Sequence, residues 1–190
     1  MMKIALCGVL CLCFFTACEV QIDNPLEIVS GEYHTIKEGS HSSNPIPEKF
    51  EDNELSFTAL FDSSAVYSSV DEANQADINK LMGFSDCGAH HHENSARFGW
   101  RWFDDELQVF AYCYAGGVRS YEFITSVELN ETNEYKITAA NDKYFFTVNG
   151  KHEVEMERGG NCTESSNYLL FPYFGGDETA PHDITVRIIK

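Results

Sequence analysis

Alternation with a period of two residues dominates this chain from residue 54 onward and limits what it can fold into. In a strand, successive side chains point to opposite faces. In SARFGWR, residues 95–101, that puts Ala96, Phe98 and Trp100 on one face and Ser95, Arg97, Gly99 and Arg101 on the other. LSFTALF aligns Leu55, Phe57, Ala59 and Phe61, and DITVRII aligns Ile184, Val186 and Ile188. LQVFAYCY turns Leu107, Val109, Ala111 and Cys113 inward and leaves Gln108, Phe110, Tyr112 and Tyr114 outward. Turn formers separate the runs: FDDE near 104, AGG at 115–117, NETNE at 130–134, AND at 140–142, and the hairpin signal Asn149-Gly150. Within this span a short helix is predicted only over 71–82. The pattern predicts one all-β domain over 54–190, a two-sheet antiparallel β-sandwich or jelly roll. Phe57, Phe98, Trp100, Trp102 and Ile184 are expected in or near its core.

The opening segment reads differently. Lys3 precedes an apolar run from Ile4 to Phe15 and small residues before Cys18, the plan of a secretory signal and too short to span a membrane. Phe15-Thr16-Ala17-Cys18 resembles a bacterial lipoprotein box, which implies removal of 1–17 and a lipid on Cys18. A plain secretory signal cut elsewhere is the alternative. Residues 18–53, rich in Glu, Asn, Ser and Pro, then read as a lipid-anchored tether and lead-in. Glu19, rather than Asp, follows the modified cysteine, so the expected location is the bacterial outer membrane. Three cysteines remain, Cys87, Cys113 and Cys162. An odd count permits one disulfide and one free thiol. Cys113 suits either a buried free thiol or a bond to Cys87.

A formal net charge of −17, one unit lower without Lys3, argues against nucleic acid as a partner. The charge is uneven. Residues 18–79 hold 2 basic and 13 acidic side chains, whereas residues 80–119 hold 4 and 5. The least acidic stretch is therefore the one carrying the SARFGWR strand.

Strands 95–102 and 107–114, joined by a short turn, are predicted to pair as a hairpin. Their outward faces then gather Ser95, Arg97, Arg101, Gln108, Tyr112 and Tyr114, and NKLMG just upstream adds Lys80. The planar fork of arginine matches a carboxylate. Tyrosine offers a ring for sugar stacking and a phenol for proton transfer.

KLMG, NSARFGWR, AYCY and FPYFGGDETAPHD, in that order, resemble motifs of the concanavalin A-like polysaccharide lyases. The family 14 type, which includes alginate and glucuronate-polymer lyases, is most similar. The likeness spans 54–190 and departs from the pattern at Met82, where proline is usual. It implies a concanavalin A-like jelly roll with Lys80, Ser95, Arg97, Tyr112 and Tyr114 as the catalytic set. Arg101 and Gln108, flanking on the same face, and His92, at the cleft mouth, are the expected substrate contacts. The implied reaction is β-elimination from a uronate in an acidic polysaccharide. Arg97 and Lys80 neutralise the sugar carboxylate, and a tyrosine made more acidic by these cations removes the C5 proton. Two other readings stay open: a non-catalytic, lectin-like module using the same face, and a structural or interaction lipoprotein without a sugar ligand.

No cofactor is expected. In CGAHHHEN, His90 and His92 with Asp86 or Cys87 invite a metal reading. Three consecutive histidines lack the i, i+4 or paired spacing of a dedicated zinc site, so no metal is assigned and the stretch is expected to form a loop at the cleft mouth. Asp177 and Asp183 are oxygen donors of the kind calcium uses, but acids in a Gly-rich turn are expected as turn formers. The Glu-x-Asp-x-Glu strand of laminarinase-like sandwiches is missing, which removes two-carboxylate glycoside hydrolysis.

Overall fold

The structure, a computed structural model, describes residues 31–160, 162 and 167–190. The signal, the tether up to residue 30 and Cys18 lie outside the described residues. Among the described residues no helix is long and apolar enough to cross a membrane.

Twelve strands are described: β1 (Glu32–Ile36), β2 (Lys49–Phe50), β3 (Glu54–Phe61), β4 (Asn79–Ser85), β5 (Ser95–Phe103), β6 (Glu106–Ala115), β7 (Val118–Val127), β8 (Thr132–Ala140), β9 (Lys143–Val148), β10 (His152–Glu157), β11 (Asn167–Leu170) and β12 (Ile184–Ile189). They form two antiparallel sheets, ordered β1-β12-β3-β8-β9-β10 and β2-β11-β4-β5-β6-β7. This is the two-sheet jelly-roll sandwich that the alternation predicts.

The inward faces are those read from the pleat. Leu55, Phe57, Ala59 and Phe61 of β3 are buried against Ala96, Phe98 and Trp100 of β5. Phe98 meets Phe57, Tyr135 and Phe146 edge-on, and Trp100 packs on Phe61 and Tyr67. Each such side chain contributes roughly 1.5–3 kcal/mol through burial. Ile184 is fully buried, while Trp102 is half-buried at the rim of the core. Asn149 and Gly150 both take positive φ between β9 and β10, but Val148 pairs with His152, so the loop has three residues where the Asn-Gly signal predicts two.

Three further features depart from expectation. The segment 18–53 is not all tether, because β1 and β2 fall within it. Each is anchored by one apolar residue, Ile36 or Phe50 (stacked on Phe84 at 4.6 Å), too sparse to show a period. Over 71–82 only a 3-10 turn, Glu72–Asn74, is present, and β4 begins at Asn79. Leu81, Met82, Gly83 and Phe84 are all buried, with a register shift between Lys80 and Gly83, so this strand carries no alternation to read. Finally, the disulfide joins Cys87 to Cys162, not to Cys113, whose thiol is free and buried inside β6. Apolar surroundings push that thiol's pKa up and leave it unreactive.

Candidate functional site

β5 and β6 pair with Ser95 opposite Tyr114, Arg97 opposite Tyr112 and Arg101 opposite Gln108. The outward residues of the hairpin therefore form neighbouring columns on the second sheet. β4 adds Lys80, whose backbone exchanges hydrogen bonds with Tyr173 (2.8 and 3.0 Å). Lys80, Ser95, Arg97, Tyr112, Tyr114 and His92 all line one cavity of about 370 Å³. A smaller recess of about 80 Å³ continues it past Lys80 and Tyr112 toward Tyr121.

Close approach at two glycines makes room for the cations. A Cβ on Gly83 would collide with the Ala96 carbonyl oxygen and the Arg97 Cα. A Cβ on Gly175 would meet the Ile78 carbonyl oxygen and Lys80 Nζ.

Arg97 is not a solvated surface arginine. It is 8% exposed, Nη2 donates to the Phe171 carbonyl oxygen at 2.6 Å, and Nε has no hydrogen-bond partner among the described residues. Burial lowers its pKa to about 10, which still leaves it charged at neutral pH. Lys80 donates from Nζ to the Ile78 carbonyl oxygen at 2.7 Å and lies 4.8 Å above the Tyr112 ring. Burial, then the charges of Arg97 and Arg119, bring its pKa down to about 8.

Two site expectations fail. Cations were to make a tyrosine more acidic, but burial pushes Tyr112 up to about 12, with Tyr114 adding to the rise and only Arg119 opposing it. Tyr112 therefore keeps its proton. Arg101 and Gln108 do not line the cavity. Arg101 Nε donates to Gln108 Oε1 at 2.8 Å, its Nη1 donates to the Ala76 carbonyl oxygen at 2.8 Å, and its guanidinium stacks on Phe110. Their polar groups are engaged with each other and with the backbone, so they are not substrate contacts in this arrangement.

The cavity also includes residues that the sequence reading left out: His91, Arg119, Tyr173 and Asp177. Arg119 lies opposite Tyr114 in the β6–β7 ladder, a position the AGG turn encodes by simple counting. Tyr173 comes from the far end of the chain and leaves no local signal. Asp183 accepts from Lys37 Nζ at 2.6 Å and from the Glu38 N–H at 3.0 Å. Among the described residues, no converging set of three metal donors includes Asp177 or Asp183.

A larger cavity of about 500 Å³ lies on the other sheet, beside Ser56, Thr58, Lys136, Thr147 and Lys190. Its two lysines are already paired, Lys136 with Glu54 at 3.7 Å and Lys190 with Glu48 at 2.8 Å. No salt bridge is found for Lys80, Arg97 or Arg119 among the described residues, so three cations against Asp177 and the Asp77 of the adjoining recess leave the smaller cavity net cationic.

No protein-family model matches this chain, and no curated protein matches it. Solved structures do. Alginate lyase AlyC3 aligns with a TM-score of 0.58 at 11% identity, over 83% of this chain and 72% of that one. The alginate lyase from Klebsiella pneumoniae gives 0.52 at 14%, over 72% and 57%. A Bacteroides ovatus mixed-linkage glucan GH16 protein in complex with its G4G4G3G product gives 0.52 at 8%, over 87% and 81%. At such identities the likeness establishes a shared jelly-roll fold.

Proposed function

We propose that this protein binds a uronate-containing polysaccharide through the cationic cavity of its second sheet and cleaves it by β-elimination. The observation that carries this reading is Arg97, a buried guanidinium whose Nε has no partner among the described residues, beside Lys80 and Arg119 in a cavity lined by one exposed acid, Asp177, with Asp77 in the adjoining recess. Keeping such a group charged and dry costs desolvation free energy, which an anionic ligand offsets. Alginate lyases among the fold neighbours support the same chemistry.

Burial redistributes the roles. Arg97 and Arg119 hold the sugar carboxylate and stabilise the negative charge that builds on it as the C5 proton leaves. Lys80, near 8, has a neutral amine fraction at mildly alkaline pH and takes that proton. The C5–H electrons form the C4=C5 double bond, and the C4–O bond breaks. Tyr112, held protonated near 12, donates to the leaving oxygen, and Tyr114 and Ser95 line the cavity around it.

Incubation with alginate or glucuronan should release unsaturated uronate ends, read by ultraviolet absorbance. Tyr112→Phe should lower that rate by ~10²–10⁴-fold while retaining binding, since only a proton donor is lost. Arg97→Ala should abolish both. Failure of every uronate polymer to bind, or binding indifferent to Arg97→Ala, rejects the proposal. Binding without product selects the lectin-like reading, which one contact favours: the Ile78 carbonyl oxygen accepts from Lys80 Nζ and so stabilises the charged amine.

We also propose a lipid anchor on Cys18 and residence at the bacterial outer membrane, supported by the Phe15–Cys18 pattern. Labelled palmitate should enter the wild type and not Cys18→Ala.

A further inference from the structure

We infer that His90, His91 and His92 form a binding site for a zinc-class divalent ion on the wall of the cavity. Consecutive histidines in extended backbone point apart. Here the chain makes a tight turn, with the His90 carbonyl oxygen accepting from both the Glu93 N–H (2.7 Å) and the Asn94 N–H (3.1 Å). The turn folds the three rings together, with centroids 4.2, 4.4 and 5.2 Å apart. One nitrogen from each ring lies within 4.8 Å of the other two.

Zinc–nitrogen bonds of ~2.0–2.1 Å at tetrahedral angles place ligand nitrogens about 3.4 Å apart. Closing the cluster around an ion therefore needs ring movements of roughly 1 Å. His90 and His92 are exposed, and His90 Nδ1 accepts from the His92 N–H at 3.2 Å, which leaves its Nε2 to the ion. His91 is held: its Nδ1 lies 2.9 Å from the Tyr168 hydroxyl, and its carbonyl oxygen accepts from Ser95 Oγ at 2.7 Å. A hydrogen-bond partner on the second ring nitrogen fixes the orientation of a ligating imidazole, and the Tyr168 hydroxyl stands in that place.

The loop backbone is pinned on either side. Cys87 is bonded to Cys162, and Asn94 Oδ1 accepts from the Gly116 N–H at 3.0 Å. Three imidazoles without a carboxylate select zinc, copper or nickel over calcium or magnesium. Three protein ligands also leave a coordination position open. His91 and His92 line the cavity, and the His92 ring lies 5.3 Å from that of Tyr114, so a ligand oxygen in the cavity is within reach of the site. Ion binding itself does not depend on the glycan reading.

The test is calorimetric titration of ZnCl2 and CaCl2 into the full chain after chelator treatment, disulfide intact and without a polyhistidine tag. One zinc per chain and no calcium is expected. His90→Ala and His92→Ala, both at exposed positions and therefore safe for folding, should each weaken zinc by at least about 10-fold, the lower end of what losing even an outer-shell partner costs. His152→Ala, on the other sheet, should change nothing. Cobalt should give a visible absorption band that His91→Gln removes. Absence of zinc binding overturns the site, as does zinc affinity unchanged in the His90→Ala/His92→Ala double variant.

Discussion

Two buried charges on the second sheet have opposite surroundings. Asp86, at the end of β4, is 2% exposed and fully employed. Its carboxylate accepts from Arg158 Nε at 2.6 Å and Nη2 at 3.0 Å, from the Tyr144 hydroxyl at 2.7 Å and from the Cys87 N–H at 2.7 Å. Burial alone would raise its pKa, but Arg158, Tyr144 and the Cys87 N–H outweigh it and hold the carboxyl below its ordinary value. Arg97, on the adjoining strand, is nearly as buried yet has one carbonyl acceptor and a free Nε. A closed network serves the fold, whereas an open one serves something that arrives from outside.

Four measurements test this contrast. Asp86→Ala strands Arg158 and should cost about 3–5 kcal/mol in denaturant unfolding, the usual penalty for breaking a buried pair. Arg97→Met should do the reverse, leaving stability unchanged or raising it by about 1–4 kcal/mol while ligand binding is lost. A large destabilisation by Arg97→Met would show that its network is as structural as that of Asp86.

Acid should separate the two regions by pH window. The fold lowers His91 from 6.5 to about 4, through burial first and then His92 and His90. The unfolded chain binds more protons between those values, so stability should fall as pH drops from 6.5 to 4. His91→Gln should flatten that limb. The Asp86 contribution is present above its ordinary 3.8 and should be lost only below it. Lys80, lowered from 10.5 to about 8, follows the same sign as His91: stability should rise with pH from 8 to 10.5, and Lys80→Met should remove the rise. A melting temperature flat across both windows would contradict these assignments. The smallest effect belongs to Arg101→Ala, which loses one stacked cation and its bond to Gln108. About 1 kcal/mol of stability should go, with ligand affinity unchanged, as the side chain lies outside the cavity.

The pleat made much of this legible. Alternation assigns Phe98 and Trp100 inward and Ser95 and Arg97 outward, and hairpin pairing brings Tyr112 and Tyr114 beside them. What alternation cannot report is whether an outward residue meets water. Arg97 meets the distant Phe171 carbonyl, Tyr112 is buried among Ile78, Phe110 and Tyr114, and that burial reverses the acid–base behaviour expected of Tyr112. Cys162 and Tyr173 escaped for the same reason, because each meets a partner distant in sequence, Cys87 at a separation of 75 residues and Lys80 across the backbone pair. The three histidines escaped through backbone shape: spacing rules for ligands assume a regular helix or strand, and a tight turn obeys neither.

The first sheet carries a consequence for how the molecule is assembled. β12, late in the chain, lies between β1 and β3, and among the described residues β1 pairs with no other strand. Until β12 docks, β1 has no ladder at all and β3 offers an unprotected edge with Leu55, Phe57 and Phe61 behind it. Such edges invite pairing with other chains, and contacts between distant segments form slowly. The nascent protein therefore passes through an aggregation-exposed interval that ends only when its late strand inserts, and chaperone demand during synthesis should follow the arrival of residues 184–189 more than that of any earlier segment.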